Sequence, residues 1–136
     1  MVNGILLRPY ISGMVWNLSE NSMAVLREGI DVYKAIRGEI REMVPFFPLG
    51  FGRVNDAQLA YGLRGENRAY LSVFAVQSDA AEIPLKSLNR EITGVKVIYP
   101  SSVDCAFSLD GNQCLTVRMP KPECARLFEI TFKSEE

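Results

Sequence analysis

AQLAYGLRGENRAYLSVFAV, residues 57–76, carries a hydrophobic period of two, and that period sets the fold class. Ala57, Leu59, Tyr61 and Leu63 share one face, Ala60 and Gly62 lie on the other, RGEN supplies a turn, and RAYLSVFAV returns. The return strand is apolar on both sides, with Leu71 and Val73 pointing one way and Phe74 and Val76 the other. It therefore reads as a central strand covered on both faces. Downstream, residues 81–85 form a short strand that Pro84 confines to an edge, because proline cannot donate to a ladder. Another strand spans residues 94–99 and stops at Pro100. In VDCAFSLDGNQCLTVRM, residues 103–119, a two-residue Asp110-Gly111 turn would set Phe107 opposite Cys114. A three-residue loop with Asn112 left-handed instead pairs Phe107 with Leu115 and Cys105 with Val117, keeping one apolar face continuous, and is the expected register. The closing strand CARLFEITF, residues 124–132, needs a local irregularity to reconcile Ala125 and Leu127 with Phe128, Ile130 and Phe132. About seven short strands without strand–helix alternation predict a mainly β protein, an antiparallel β-sandwich.

Upstream lies one long amphipathic helix, residues 17–40, preceded by an apolar N-terminal segment. Ser19 has the short acceptor of an N-cap, and Leu18 is placed to staple onto Met23. Met23, Val25, Leu26, Ile30, Val32, Tyr33, Ile36 and Ile40 fill about half the helix surface at about 100° per residue, more than a small sheet covers, so a second partner is implied. Arg27, Glu28, Asp31, Lys34, Ala35, Gly38 and Glu39 are expected to face water, with Asp31 in reach of Lys34. Gly29 is either a chance weakening of the helix or the mark of another backbone approaching closely. Gly38 marks a first exit and Pro45 the end. Residues 41–55, REMVPFFPLGFGRVN, read as an extended connector pinned down by Phe46, Phe47, Leu49 and Phe51. The start, MVNGILLRPYISGMVW, needs burial almost at once and resembles the end of a larger domain's last strand. Trp16 is expected to pack in a core or interface, the alternative being an exposed platform for a sugar ring.

A chain of 136 residues suffices for one domain with its own core, and 15 basic against 16 acidic residues leave a net charge of −1. That balance gives no case for nucleic acid or an anionic membrane as partner. No basic, apolar leader and no run of about 18 apolar residues is present, which makes the cytoplasm the expected location. Cys105, Cys114 and Cys124 are odd in number and lack C-x-x-C spacing, so they are expected as buried free thiols. Histidine is absent, which removes Ser-His, Cys-His and His-metal chemistry. Asp56, Asp79, Glu82, Asp104 and Asp110 fall at strand ends and turns as a solvated rim, and Lys34, Lys86, Lys96 and Lys121 have no setting that lowers a pKa. No catalytic, metal-binding or cofactor-binding residue is assigned, and no cofactor is expected. The candidate binding residues are Trp16, Tyr61 and Tyr70, aromatic side chains suited to stacking on a sugar.

Ile11-Ser12-Gly13, Leu18-Ser19, VYKAIR (32–37), PFFPLG (45–50), LAYGLR (59–64), AYLSVF (69–74), VIYP (97–100), LTVRMP (115–120) and ARLFEI (125–130) occur in an order that resembles the C-terminal region of the α-galactosidases of glycoside hydrolase family 36. The resemblance spans nearly the whole chain. It implies a catalytic (β/α)₈ barrel followed by a β-sandwich, and a retaining hydrolysis of terminal α-galactosides by two aspartates. Both aspartates belong to barrel motifs upstream of the resembling region, so none is carried onto this chain. On this reading residues 1–44 are a remnant of the barrel, its last strand (3–12) and last helix. Residues 45–56 are the packed connector, 57–133 the sandwich and 134–136 a frayed tail. The expected function is non-catalytic support of the missing barrel. A carbohydrate-binding module with a weak sugar ligand is the alternative. A homo-oligomer, paired helix to helix or by swapped N-terminal segments, is expected of the isolated chain.

Overall fold

The structure, a computed structural model, describes residues 1–53 and 55–134. Its first element corrects the expectation of a strand over residues 3–12: Val2–Ile5 forms a single helical turn, α1. Val2, Ile5 and Leu6 stand at helical spacing, so one turn buries all three, at 7, 0 and 3% exposure. A 3-10 turn at Val15–Asn17 then leads into the long helix α2, Glu20–Ile40. Ser19 is its N-cap, accepting from the Ser22 amide at 3.2 Å, and Ser19→Ala should cost about 1 kcal/mol.

Eight strands follow: β1 Val44–Phe46, β2 Gln58–Arg64, β3 Arg68–Ala75, β4 Ala80–Pro84, β5 Ile92–Tyr99, β6 Ala106–Leu109, β7 Cys114–Arg118 and β8 Cys124–Phe132. They form two antiparallel sheets, β1-β2-β3-β8-β5 and β4-β7-β6. The fold is mainly β, two antiparallel sheets preceded by a long helix and packed in a sandwich-like manner. β3 is interior and β4 is an edge, in accord with its two apolar faces and with Pro84.

Two cores share the larger sheet. Leu71, Val73, Phe128 and Ile130 meet Ile83, Leu115 and Val117 of the smaller sheet. On the opposite face Leu63, Tyr70 and Leu127 meet Ile36 and Ile40 of α2 and Val2, Ile5 and Leu6 of α1. Each fully buried Leu, Ile or Phe side chain contributes roughly 1.5–3 kcal/mol of transfer free energy.

Four local expectations change. β8 pairs with β3 in unbroken register, because Leu127 serves the helix layer while Phe128 serves the sheet layer. The irregularity lies in β5, between Ile92 and Gly94 and between Val97 and Tyr99. The β6–β7 hairpin pairs Phe107 with Val117 and Leu109 with Leu115, two residues away from the expected register. Asp110 is the reason: its carboxylate accepts from the Asn112 and Cys114 amides, and the left-handed residue is Gln113, not Asn112. A shift of two preserves the faces, so the apolar side stays continuous. Within the connector, Val44–Phe46 is an edge strand, and Phe46 lies over Gly62. A Cβ there would collide with the Phe46 ring and the Tyr70 carbonyl. Of the expected pins Phe46 is buried and Leu49 packs half-buried against the sheet–sheet core, while Phe47 is 43% and Phe51 83% exposed. Val54 of the connector, and Glu135 and Glu136 of the tail, lie outside the described residues.

Helix α2 is also turned differently from the expectation. Gly29 is buried because an aromatic ring approaches it, not another backbone: a Cβ would stand 3.0 Å from two Tyr99 ring atoms and 2.7 Å from Met1 Cε. Glu28 and Glu39, expected in water, reach across to the strands and their loops. Glu28 accepts from the Ser101 amide at 2.6 Å and its hydroxyl at 2.7 Å, and Glu39 accepts from Tyr70 at 2.7 Å. Among the described residues Asp31 and Lys34 make no ion pair.

Candidate functional site

Connector and sheet form an open concavity of about 450 Å³, lined by Phe47, Leu49, Phe51, Arg53, Asp56, Leu59, Tyr61 and Phe74. The local sequence builds its rim. Gly50, at φ +74°, turns the chain after Pro48, its amide donating to the Phe47 carbonyl at 3.0 Å. Asp56 closes the next turn by accepting from the Arg53 amide at 2.7 Å. The turn brings the Phe47 and Phe51 rings to 4.7 Å, tilted by 42°. On the opposite wall Tyr61 and Phe74 stack at 6.2 Å, and the Tyr61 hydroxyl donates to the Asn3 carbonyl of α1. Burial pushes the Tyr61 phenol up from its ordinary value.

The three aromatic candidates are scattered. Tyr61 lines the concavity, half-buried. Tyr70 is 1% exposed under α2, so its ring offers no face to a sugar. Its phenol lies well above its ordinary value, because of burial first and the Glu39 carboxylate second. Trp16, expected in a core or an interface, lies in neither core of this chain. It is 75% exposed on the 3-10 turn, in a run with Leu7 at 61%, Tyr10 at 81%, Ile11 at 46%, Met14 at 63% and Leu18 at 42%.

Among the described residues the candidate carboxylates Asp56, Asp79, Glu82, Asp104 and Asp110 are engaged separately or solvated. Asp56 and Asp110 hold turns, Asp79 pairs with Arg118 at 3.5 Å, and Glu82 and Asp104 are solvated. The closest approach to a charge cluster is Glu39–Arg68–Glu129–Lys96, with contacts of 3.3, 3.3 and 3.2 Å. Arg68 sits between the two carboxylates and pairs with both, Lys96 supplies the second positive charge, and Tyr70 donates to Glu39. This chain of contacts ties α2 to β3, β8 and β5. All three cysteines are free and half-buried, less deeply placed than expected, and burial raises the Cys105 and Cys114 thiols, which disfavours the nucleophilic thiolate. Among the described residues no three His, Cys, Asp or Glu side chains are grouped to hold a metal ion, and no helix is long and apolar enough to cross a membrane.

Sequence reasoning missed the outward turn of Phe51 and the inward turn of Glu28 and Glu39. For Phe51 the clustered glycines and prolines were a usable signal, since a chain bent twice in seven residues cannot bury four successive aromatic and aliphatic groups. No family model matches the chain, and no curated protein or solved structure matches it either.

Proposed function

We propose that the chain is a non-catalytic β-sandwich module of an α-galactosidase-like glycoside hydrolase, seated against a catalytic barrel through α2 and the apolar N-terminal segment. The observation that supports it is the exposed apolar run from Leu7 to Leu18, which takes no part in the sheet–sheet core. Large apolar side chains exposed this densely favour contact with another polypeptide. The engaged or solvated state of the carboxylates supports the non-catalytic part. The parent reaction in this proposal is retaining hydrolysis of terminal α-galactosides in the cytoplasm. Without its barrel the chain pairs with a second copy through the N-terminal run. The purified chain, incubated with an aryl α-galactoside, is expected to show no turnover above a control. Turnover that a substitution within this chain abolishes would overturn the proposal. So would a strict monomer at high concentration by light scattering, with Trp16 fluorescence that reports full exposure at every dilution.

A second reading, a carbohydrate-binding module, is supported by the concavity, where Tyr61 and the exposed Phe51 adjoin Arg53 and Asp56. Calorimetric titration with galactose, melibiose and raffinose separates the two. Saturable binding below millimolar that Phe51→Ala removes would place this reading first.

A further inference from the structure

The concavity between connector and sheet carries two opposite charges that do not neutralise each other. Arg53 and Asp56 both line it, three residues apart on one turn, and among the described residues neither makes an ion pair. The turn fixes their backbone: the Arg53 amide donates to one carboxylate oxygen of Asp56 at 2.7 Å, and the Asp56 amide donates to the Arg53 carbonyl at 3.2 Å. The guanidinium and the second carboxylate oxygen are left for a ligand. Two other polar side chains of the lining are already engaged. Gln58 donates to the Glu82 carbonyl at 3.3 Å and accepts from the Glu82 amide at 2.9 Å, and the Tyr61 hydroxyl donates to the Asn3 carbonyl. The rest of the surface is mainly apolar, with the rings of Phe47, Phe51 and Phe74 beside Leu49 and Leu59. A Cβ at Gly52 would run into the Leu59 side chain, so the connector lies directly on that residue.

We propose that this concavity binds a free hydrophobic α-amino acid, its carboxylate on Arg53, its ammonium on Asp56 and its side chain against the aromatic and leucine walls. The pair of charges selects that class. A guanidinium takes a carboxylate through paired N–H donors, and a carboxylate takes an ammonium through a charge-assisted hydrogen bond. An apolar monocarboxylate would meet Asp56 as a like charge, and an apolar amine would meet Arg53 as one. A ligand bearing both charges is attracted by both groups. A neutral sugar would find Gln58 and Tyr61 already engaged and would offer little apolar surface to Leu49 and Leu59. The volume of about 450 Å³ falls within the roughly 300–1,000 Å³ of small-ligand sites and admits a side chain as large as that of phenylalanine. The inference is independent of what the N-terminal run docks against.

Calorimetric titration of the purified chain with L-phenylalanine, 3-phenylpropionate, phenethylamine and galactose tests it, the two analogues each lacking one charge. L-Phenylalanine is expected to saturate the chain with a Kd below about 1 mM, at least about tenfold tighter than either analogue. Arg53→Gln should remove its advantage over phenethylamine. Asp56→Asn keeps an oxygen for the Arg53 amide and should remove its advantage over 3-phenylpropionate. Phe51→Ala should weaken all three ligands, and an unchanged circular dichroism spectrum shows that each variant keeps its fold. L-Phenylalanine binding no tighter than its analogues, an affinity that ignores both charge substitutions, or no saturation below about 10 mM would overturn the site. Saturable galactose binding that Phe51→Ala removes, without binding of L-phenylalanine, would overturn it too and hand the concavity to a sugar. None of these outcomes bears on the barrel-supporting role, which the α-galactoside assay and the light scattering judge separately.

Discussion

The two cores that share the larger sheet differ in chemistry and in completeness. Between the sheets the buried groups are apolar, Met119 among them, and most of them lie against strands of the same chain. Between sheet and helix the packing mixes Ile5, Leu63 and Leu127 with two tyrosines whose hydroxyls reach α2, Tyr70 to Glu39 and Tyr99 to the Val25 carbonyl. The helix then turns further apolar residues away from both cores. A layer built between strands satisfies its backbone through the ladders and needs mainly apolar filling. A lone helix on a sheet leaves its flanks open, and here polar contacts fasten one flank while an apolar row remains on the other.

That contrast can be broken or sharpened by substitution. The largest effect is expected in the core between the sheets: Phe128→Ala should cost about 3–5 kcal/mol and Leu115→Ala about 2–5, since both side chains are fully buried. Leu26→Ala on the open helix flank should cost under about 1 kcal/mol, and urea melts that gave equal losses at Leu115 and Leu26 would erase the distinction. Next comes Gly29→Val, which drives a branched side chain into the Tyr99 ring and should cost about 1–3 kcal/mol. Hydrogen exchange should then quicken in α2 and leave the amides of β4, β6 and β7 unchanged; quickening in both sheets would mean that the layers unfold as one.

Alkaline pH should act on the helix layer. Burial raises the phenols of Tyr70, Tyr99 and Tyr61 above their ordinary value of about 10. A folded-state pKa above the unfolded one adds stability that is fully present below pH about 10 and is lost as pH rises toward the folded value. Tyr70→Phe should cost about 1 kcal/mol at neutral pH and flatten the alkaline limb of the stability profile. An unchanged limb would remove Tyr70 from the account. The smallest effect belongs to Trp16→Ala, within about 0.5 kcal/mol in a urea melt, because the ring is 75% exposed, while the self-association constant drops.

Much of this architecture was legible because it depends on near neighbours along the chain. The period of two across residues 57–76, the cap at Ser19, the edge position of Pro84 and the interior place of the strand containing Leu71 and Val73 all follow from side-chain spacing and backbone chemistry. The absence of histidine likewise excluded whole classes of catalysis without any coordinates. Tertiary structure decided what a residue meets once its face is known. Glu28 and Glu39 sit on helix positions that read as polar, and only the approach of Ser101 and Tyr70 turns them into fasteners. The N-terminal segment became a helical turn, not a strand, and Val2, Ile5 and Leu6 fill the layer between α2 and the face of the larger sheet. Period and capping are local and survive in any surroundings. Which layer covers a given face, and which apolar residues such as Trp16 are left outside, is settled by contacts between segments far apart in the chain, which no short window of sequence contains.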